Sequence, residues 1–420
     1  MEMNVTMLFP AVDQKKINSL HEKSIPIIDM FFFGVVSMVI ILGFIMVVSA
    51  SISVAAKSGD QFYYAKRQAI FIVIGIAAAV TVFKIPLKFW HKSGFLFLML
   101  AVCLIIAVLI PGIGKEVNGS KRWIPLGIFN LQASEPVKLC MIIYLSGYLL
   151  RRLNAVRESI KGFLLPMAIL TLVVFLLLLE PDFGSAVVIS GTFLALLFLA
   201  GAKLWQYVMI FFSMGGAMAL LAVTSPYRLA RLTGFLDPWA DQFNSGFQLT
   251  QSLIAIGSGG IFGVGIGNSV QKLFYLPEAH TDFIFAVFAE ELGLVGVIIL
   301  ITAFAFIVMR AMKIGVESER SGNFFGAYLA YGLGLWIGVQ AFINIGVNMG
   351  VLPTKGLTLP FMSYGGSSLI VMFVVFALIL RVDYENRLKQ LAGNCKKCKA
   401  DKSKAGRKKS GKGGVNGNAF

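Results

Sequence analysis

The sequence predicts an all-α polytopic membrane protein with about ten transmembrane helices. Its 420 residues are 57% hydrophobic and only 14% charged, and their mean hydropathy is +0.80. A soluble protein of this size could not bury so much apolar surface, so lipid has to be part of its solvent. Apolar runs such as 31–48 and 163–179 approach or reach the length that crosses a bilayer.

Ten apolar segments are long enough to be interpreted as spans. Residues 1–24 are mostly polar, and the first apolar run is too long for the core of a signal peptide, so we expect it to be the first span. The predicted limits are 28–55, 69–86, 94–112, 131–150, 163–179, 184–201, 204–224, 283–309, 323–350 and 364–381. The predicted domains are an N-terminal tail (1–27), a ten-span domain (28–381) and a basic, disordered C-terminal tail (382–420).

The basic residues predict which side of the membrane each connecting segment faces. One alternate set of segments, which includes both tails, carries 26 of the 37 Lys and Arg residues, and the other set carries ten. Cytoplasmic loops are enriched in Lys and Arg, so both termini should be cytoplasmic, although loop 57–67 runs against the trend. The basic C-terminal tail suits anionic lipid. No nucleic-acid partner is predicted, because the tail is rich in Gly, Ser and Lys and almost lacks aromatic residues.

Three longer segments fall on the predicted outer side, at 113–130, 225–282 and 350–363. Each places apolar patches between polar residues, which is typical of chains that dip into the interface or re-enter the bilayer beside protein. The segment 225–282, between the seventh and eighth spans, should be the largest and partly helical. Its glycines at 263, 265 and 267 do not complete a GxGxxG fingerprint, so we expect close packing there and no nucleotide site.

The sequence gives little support for a metal or redox cofactor. Cys395 and Cys398 form a lone CxxC pair, whereas a structural zinc site usually needs four ligands. The three histidines form no HExxH motif. We therefore expect no zinc, haem or nucleotide. A weakly held, partly hydrated divalent cation such as Mg²⁺ or Mn²⁺ on carboxylate oxygens stays open.

Charged residues inside or beside the spans are the first candidates for a functional site, because lipid makes them expensive. Glu135 and Lys138 lie three residues apart on the fourth span, where they can neutralise each other. A packing salt bridge and a functional pair explain them equally well. Glu180 and Asp182 flank Pro181, which prevents a continuous helix. They form either a polar turn at the interface or the acidic lining of an outward cavity.

Arg228 and Arg231, in the large outer segment, lie three residues apart and would share one face of a helix. Two arginines so placed could hold a lipid-linked phosphate or pyrophosphate. The alternative is an interfacial amphipathic helix whose cations extend toward water.

The stretch LPEAHTDFIFAVFAEELG (276–293) places titratable groups directly before the eighth span. Asp282 lies at or just before the first turn, where the helix dipole favours a carboxylate, so a plain N-cap is one interpretation. Glu290 is about 12 Å further along a helix axis, and Glu291 faces away from Asp282. The paired carboxylates of a retaining glycosidase are therefore not expected here. A single surface carboxylate suits a general base.

Several long motifs resemble the SEDS family of bacterial cell-wall proteins. They are NGSKRWIPLG with ASEPVKL, EPDFGSA, YRLARLTGFLDPW, the stretch from GFQLTQSLIAIG to FAEELG, and NMGVLPTKGLTLPFMSYGGSSL. The resemblance runs from about residue 30 to 390. PEAHTDF and VLPTKGLTLPFMSYGGSS are more similar to the division member of the family than to the elongation member.

The resemblance implies a ten-span protein that polymerises lipid II into glycan strands on the outer face of the inner membrane, at the division septum. It places the family's essential outer-loop aspartate at Asp282, its intramembrane pair at Glu135 and Lys138, and its cavity acid at Asp182. It also implies three kinds of partner: lipid II, a class B penicillin-binding protein (FtsI-like), and divisome regulators (FtsQ/FtsL/FtsB-like).

Residues and resemblance together predict a mechanism. Asp282 would remove the proton from the acceptor sugar's 4-hydroxyl, whose oxygen would attack the donor's anomeric carbon with inversion as the lipid pyrophosphate leaves. Arg228 and Arg231, or Lys121 and Arg122, would neutralise that pyrophosphate, and a divalent cation could share the role. His280 is a further candidate for binding the substrate or its pyrophosphate, and Glu180, Lys355 and Ser367 are candidates for polar residues that line or support the cavity.

Two other functions stay open at this point. A lipid II flippase should carry charges near the midplane on broken helices, which Glu135 and Lys138 partly fit and Asp282 does not. A scaffold that only recruits division proteins would need no clustered acids, and Asp282→Ala would then be harmless.

Overall fold

The computed structural model describes residues 28–410 except 58, 118–119, 126, 128–129, 210–236, 241–245, 274 and 354–355. Helices account for most of this part of the chain. In order, the elements are α1 (Met30–Ala56), α2 (Tyr63–Lys84), α3 (Leu87–Lys92), α4 (Gly94–Leu109), β1 (Lys115–Val117), β2 (Ser120–Pro125), β3 (Asn130–Gln132), α5 (Ser134–Glu158), α6 (Ile160–Leu179), α7 (Phe183–Leu199), α8 (Phe247–Ser258), α9 (Ile284–Arg320), α10 (Phe324–Asn348) and α11 (Gly366–Ser410).

The apolar runs of the sequence form helices because a helix pairs its own backbone polar groups, which lipid cannot do. Seven described helices are long and apolar enough to cross a membrane, namely α1, α2, α5, α6, α9, α10 and α11, and α4 and α7 are shorter apolar helices. These nine helices lie on nine of the ten predicted spans. The remaining predicted span, 204–224, falls mostly outside the described residues, so the count of ten stays a prediction.

The burial of each helix shows its place in the bundle. Two-thirds or more of the apolar stretch is buried in α5, α10 and α11, against 17% in α2. The first three are therefore central, and α9 packs along α10 while α11 packs along α2. Exposed leucine and phenylalanine side chains cover one side of α6, where lipid is the only solvent that suits them.

A small antiparallel sheet interrupts the helices in the outer segment 113–130, where we expected a chain that dips into the interface. Its strand order is β1-β2-β3, and Trp123 faces Lys115 on one side and Gln132 on the other. The strands have three to six residues, too short for a readable alternation of apolar and polar side chains. The predicted fold class, a polytopic bundle of α-helices, is confirmed, and this small sheet is an addition to it that the sequence did not predict.

The last helix passes the predicted end of the membrane domain at 381 and continues to Ser410. Val382, Asp383 and Asn386 are buried, so the prediction of a disordered tail is wrong for the residues just after 381. Asp383 accepts a hydrogen bond from Arg387 Nε at 2.7 Å, and Arg310 of α9 bonds Asp29 at the start of α1. This cluster fastens α1, α9 and α11 together at one end of the bundle.

Candidate active site

Asp282 lies two residues before α9 and is partly exposed. The helix begins at Ile284, and its cap residue is Phe283, whose side chain makes no cap hydrogen bond. The N-cap interpretation of Asp282 is therefore wrong. Among the described residues, none donates a hydrogen bond to its carboxylate, whereas its backbone carbonyl accepts two, from Asn344 Nδ2 at 2.9 Å and Asn348 Nδ2 at 3.1 Å.

The two asparagines, one turn apart on α10, hold the chain at Asp282 and in the first turn of α9. Asn344 Nδ2 also donates to the carbonyl of Leu357, and Asn348 Oδ1 accepts from the backbone N–H of Ala286 at 3.2 Å. Both side chains are buried. We did not single out these residues in the sequence, although two amides at i and i+4 inside an apolar helix are a signal that could have found them.

The segment around Gly356 packs between Asp282 and the start of α7. A Cβ atom at Gly356 would lie 2.8 Å from Asp282 Oδ2, and one at Gly184 would lie 3.2 Å from the carbonyl oxygen of Gly356. The outer segment 350–363 therefore runs against the candidate base. This contact brings Asp282 and the turn that carries Asp182 to the same region, although they are a hundred residues apart in the sequence.

Burial raises the pKa of the Asp282 carboxyl to about 7, and the negative charges of Glu278 and Asp182 act in the same direction. The Arg122 guanidinium opposes them. A carboxyl group with a pKa close to neutral pH is suited to general base catalysis, because it is available as the base and still holds a proton well once it has accepted one.

The turn between α6 and α7 supplies two more acids. Asp182 caps α7 by accepting from Ser185 N–H at 3.2 Å, and it lies 3.4 Å from Gln132 Nε2. Glu180 is buried, and within the described part of the chain neither of its carboxylate oxygens has a hydrogen-bond partner. Burial, and then the charge of Asp182, raise the pKa of Glu180 to about 8, while Arg122 lowers it. Glu180 is therefore mostly protonated at neutral pH.

Arg122 of β2 is the cation that the structure brings to these acids. Its Nε donates to the backbone carbonyl of Glu180 at 3.1 Å, and its Nη2 donates to the carbonyl of Pro181. Ser367 fastens the same sheet to α11, since its Oγ accepts from Gln132 N–H at 2.9 Å and donates to the Asn130 carbonyl at 3.0 Å. Ser367 thus has a structural role, and Arg122 lies close enough to meet a negative charge beside Asp282.

Glu135 and Lys138 form a buried salt bridge of 3.0 Å on α5, as their spacing predicted. Lys138 Nζ also donates to Gln340 Oε1 at 2.9 Å, and Gln340 Nε2 donates to the Thr358 carbonyl at 3.0 Å. Thr358 follows Leu357, which Asn344 holds. The pair therefore supports the same outer segment that packs against Asp282, and Glu135 Oε2 has no partner among the described residues.

The ring of His280 lies in an aromatic cluster. Its ring centroid lies 4.5 Å from that of Tyr64 and 5.6 Å from that of Tyr364, and its backbone carbonyl accepts from Tyr364 N–H at 3.0 Å. Burial lowers the pKa of His280, and the nearby Glu278 raises it. The contacts with Tyr64 and Tyr364 hold the chain before Asp282, and substrate binding by His280 stays a prediction.

Four of the predicted cations cannot be placed in this site. Arg228, Arg231, Lys355 and the side chain of Lys121 lie outside the described residues. Their proposed contacts with a pyrophosphate stay predictions.

Comparison with known proteins identifies the family. The family model described as cell cycle protein, which covers FtsW, RodA and SpoVE, matches residues 29–388. This chain belongs to the FtsW/RodA/SpoVE family. The match covers all the residues placed around Asp282 above, so the candidate site is part of the family fold, and the resemblance read from the motifs is confirmed.

The relatives of this FtsW/RodA/SpoVE-family chain are similar over most of their length. A protein of Thioalkalivibrio sulfidiphilus (strain HL-EbGR7) is 59% identical, and the match covers 82% of this chain and 86% of that protein. A protein of Legionella pneumophila (strain Philadelphia 1) is 54% identical, and the match covers 88% of this chain and 94% of that protein. Both are named probable peptidoglycan glycosyltransferase FtsW.

The family fold is also present in a solved structure. A chain of a peptidoglycan synthase complex, described as coordinating polymerization and crosslinking, superposes with a TM-score of 0.70 at 26% identity. The match covers 86% of this chain and 98% of that one. Together with the long apolar helices, the match confirms a polytopic membrane protein.

Proposed function

We propose that this chain is a peptidoglycan glycosyltransferase that polymerises lipid II into β-1,4 glycan strands, with Asp282 as its general base. One observation carries the assignment of Asp282. Its carboxylate accepts no hydrogen bond from the described residues and has a pKa that burial raises to about 7, while Asn344 and Asn348 hold its backbone. A base needs that combination of a free oxygen, a fixed backbone and a pKa near neutrality.

The proposed reaction transfers one glycosyl group. The Asp282 carboxylate accepts the proton of the acceptor sugar's 4-hydroxyl, and the oxygen forms a bond to the anomeric carbon of the donor. The bond from that carbon to the lipid pyrophosphate breaks, and undecaprenyl pyrophosphate leaves with the electron pair. One base on one face gives inversion, and no second carboxylate forms a covalent intermediate.

Arg122 is the described cation best placed to stabilise the charge that develops on the leaving group. Two backbone carbonyls hold its guanidinium in place, and it acts electrostatically on both Asp282 and Glu180. A preorganised cation next to a developing charge stabilises a transition state without costly rearrangement. Arg228, Arg231, Lys121 and Lys355 are the further candidates for this role.

The divalent cation that the sequence left open has no complete ligand set among the described residues. The described residues contain no group of three His, Cys, Asp or Glu side chains arranged around a metal. Mg²⁺ often binds through one or two carboxylates together with substrate phosphates, so Mg²⁺ or Mn²⁺ would have to arrive with the lipid pyrophosphate. No step of the mechanism is assigned to the ion.

The proposed setting follows from the substrate and the family. A polymerase of lipid II with an outer site works at the inner membrane, at the septum for a chain so similar to proteins named FtsW. We propose that both termini are cytoplasmic, as the basic segments indicate. A class B penicillin-binding protein (FtsI-like) that crosslinks the strands is the proposed partner, with FtsQ/FtsL/FtsB-like regulators.

The test is glycan formation from labelled lipid II by the purified protein with its transpeptidase partner, for wild type and Asp282→Asn. We expect long strands from wild type and a loss of roughly 10²–10⁴-fold in rate for the variant at equal abundance and partner binding. Equal rates would overturn the assignment of Asp282.

The same preparations in lipid vesicles test the flippase alternative, which the buried Glu135–Lys138 pair favours. If neither protein makes glycan while both move lipid II across the bilayer, the chain is a transporter. If neither activity appears but the partner still binds, it is a scaffold.

A further inference from the structure

The helix that follows Asp282 is broken. In α9 the backbone at Gly293 has φ 64° and ψ −167°, so the first turns, 284–292, form a separate short helix. A break in a membrane helix frees backbone polar groups that lipid cannot satisfy. Here the glycine-rich segment 259–265 satisfies them, since the N–H groups of Val264 and Gly265 donate to the carbonyls of Glu290 and Glu291 at 3.0 and 3.1 Å.

The same segment accepts hydrogen bonds from the other side of the break. Leu294 N–H donates to the Gly260 carbonyl at 2.9 Å, and Val295 N–H donates to the Ile261 carbonyl at 3.1 Å. Such contact requires glycine, because a Cβ atom at Gly263 would lie 2.2 Å from the carbonyl oxygen of Glu291. The glycines therefore serve close backbone packing, as predicted, and they fix the short helix that follows Asp282.

Two buried acids at the end of this short helix bind the chain that precedes Asp282. Glu291 Oε1 lies 2.9 Å from Lys272 Nζ, and both contact Ser49 Oγ of α1. Glu290 accepts a hydrogen bond from Val270 N–H at 2.9 Å and another from Ser269 Oγ. All of these side chains except that of Val270 are buried.

We infer that the Lys272–Glu291 ion pair is a clip that positions Asp282 for catalysis. Asp282 lies ten residues after Lys272 and nine before Glu291, close to the middle of the loop that the pair closes. Closing a loop removes conformational freedom from every residue within it. The inference rests on the proposed function, and Lys272 and Glu291 are positioning residues that do not touch the substrate.

The burial of both charged side chains explains why loss of the ion pair would affect the position of Asp282. A buried ion that loses its partner either drives a rearrangement or admits water, because an uncompensated charge in a low-dielectric site is costly. Lys272 is 4% and Glu291 0% exposed, so neither can reach water in place. Lys272 would be released from the short helix while Glu290 still holds Ser269 and Val270, and the chain between Lys272 and Asp282 would lose its anchor at the Lys272 end.

The test compares a neutralised clip with a matched ion pair elsewhere on α9. Lys272→Met combined with Glu291→Gln removes both charges and leaves no single unpaired ion. Arg310→Met combined with Asp29→Asn is the control, because this pair also joins α9 to the chain at α1 and is mostly buried. Glycan formation at varied lipid II concentration gives kcat and KM. Hydrogen exchange of peptides covering 276–283 is measured on the protein without substrate.

We expect the neutralised clip to lower kcat by about 10²-fold while KM changes little, because a small misplacement of the base affects the chemical step. Exchange in 276–283 should become faster. The control should keep wild-type kcat and exchange in that segment. The single variant Glu291→Gln, which keeps Lys272 but places it beside an uncharged amide, should not recover the wild-type kcat.

Two outcomes would overturn the clip. One is wild-type kcat with unchanged exchange in the neutralised variant, and the other is an equal loss of kcat in the control, which would indicate general loosening of α9. If wild type itself makes no glycan, the proposed function fails. The exchange measurement then still decides whether the pair holds the loop around Asp282.

Discussion

Asn344 donates a hydrogen bond from its side-chain amide to the backbone carbonyl of Asp282 across 2.9 Å. The same amide donates to the carbonyl of Leu357, so one side chain joins the loop before α9 to the outer segment 350–363. The candidate base is therefore held through its backbone, and its carboxylate is left free of the described residues. Support of this kind fixes the position of a reacting group without lowering its basicity.

Asn344→Leu should reduce glycan formation more than it reduces folding. The substitution keeps the size of the side chain and leaves the Leu357 carbonyl without its donor, at a cost of about 1–3 kcal/mol. The Asp282 carbonyl loses the shorter of its two hydrogen bonds and keeps the one from Asn348. We expect kcat to fall about tenfold or more, with a lower thermal midpoint. Asn348→Leu is the comparison, because it removes the longer 3.1 Å bond to Asp282 and the acceptor of the Ala286 N–H, and it keeps both bonds from Asn344. Equal kcat in wild type and Asn344→Leu would contradict the positioning role.

Glycan formation should rise with pH through about 7, because only the deprotonated carboxylate of Asp282 accepts a proton and its pKa is raised to about 7. The negative charge of Glu278 helps to raise the pKa of Asp282. Glu278→Gln should therefore lower the pKa of Asp282 and move the ascending limb of the pH profile to lower pH. The measurement is the initial rate against pH. Glu116→Gln, in an exposed acid on β1, is the control that should leave the limb in place. A limb that Glu278→Gln does not move would argue against Asp282 as the titrating group.

The buried Glu135–Lys138 pair predicts a large effect on stability. Lys138→Met leaves Glu135 buried and uncompensated, which costs about 3–5 kcal/mol for a buried pair. The double variant Glu135→Gln with Lys138→Met leaves no unpaired charge and should recover much of the thermal midpoint. Thermal unfolding in detergent measures both. If the double variant is as unstable as the single one, packing and not charge accounts for the loss.

The spans could be predicted because bilayer thickness sets the length of an apolar run, and α1, α6 and α10 begin and end within a few residues of their predicted limits. The sheet at 115–132 could not be predicted, because contacts with the turn between α6 and α7 and with α11 stabilise its strands. The continuation of α11 beyond 381 was missed for the same kind of reason: its charged residues are held by partners on α1 and α9.

The sequence singled out the acids, Arg122, Lys138, His280 and Ser367, but not the residues that hold them in place. Recognisable sequence motifs contain Asp282, Asp182 and the Glu135–Lys138 pair. Asn344 acts through Asp282, 62 residues away in the sequence, and Lys272 acts through Glu291, 19 residues away. Local periodicity says which face of a helix is polar, but it does not say which distant carbonyl or carboxylate that face will meet.

Gly356→Ala should impair catalysis with little loss of stability. The new Cβ atom would lie 2.8 Å from Asp282 Oδ2, closer than van der Waals contact allows, and the atom that must yield is the end of a side chain. The carboxylate would rotate away from its place, so we expect kcat to fall by about 10²-fold, as for other small misplacements of a reacting group.

Gly191→Ala, on α7, is the matched control for Gly356→Ala, since its Cβ atom would lie 3.4 Å from the nearest side chain, an ordinary contact. Glycan formation and the thermal midpoint are measured for both variants. A low kcat with a wild-type midpoint in Gly356→Ala alone would support a role for the Asp282 carboxylate in the chemical step. Wild-type kcat in Gly356→Ala would mean that the reaction tolerates a displaced carboxylate, and Asp282 could then not be the base.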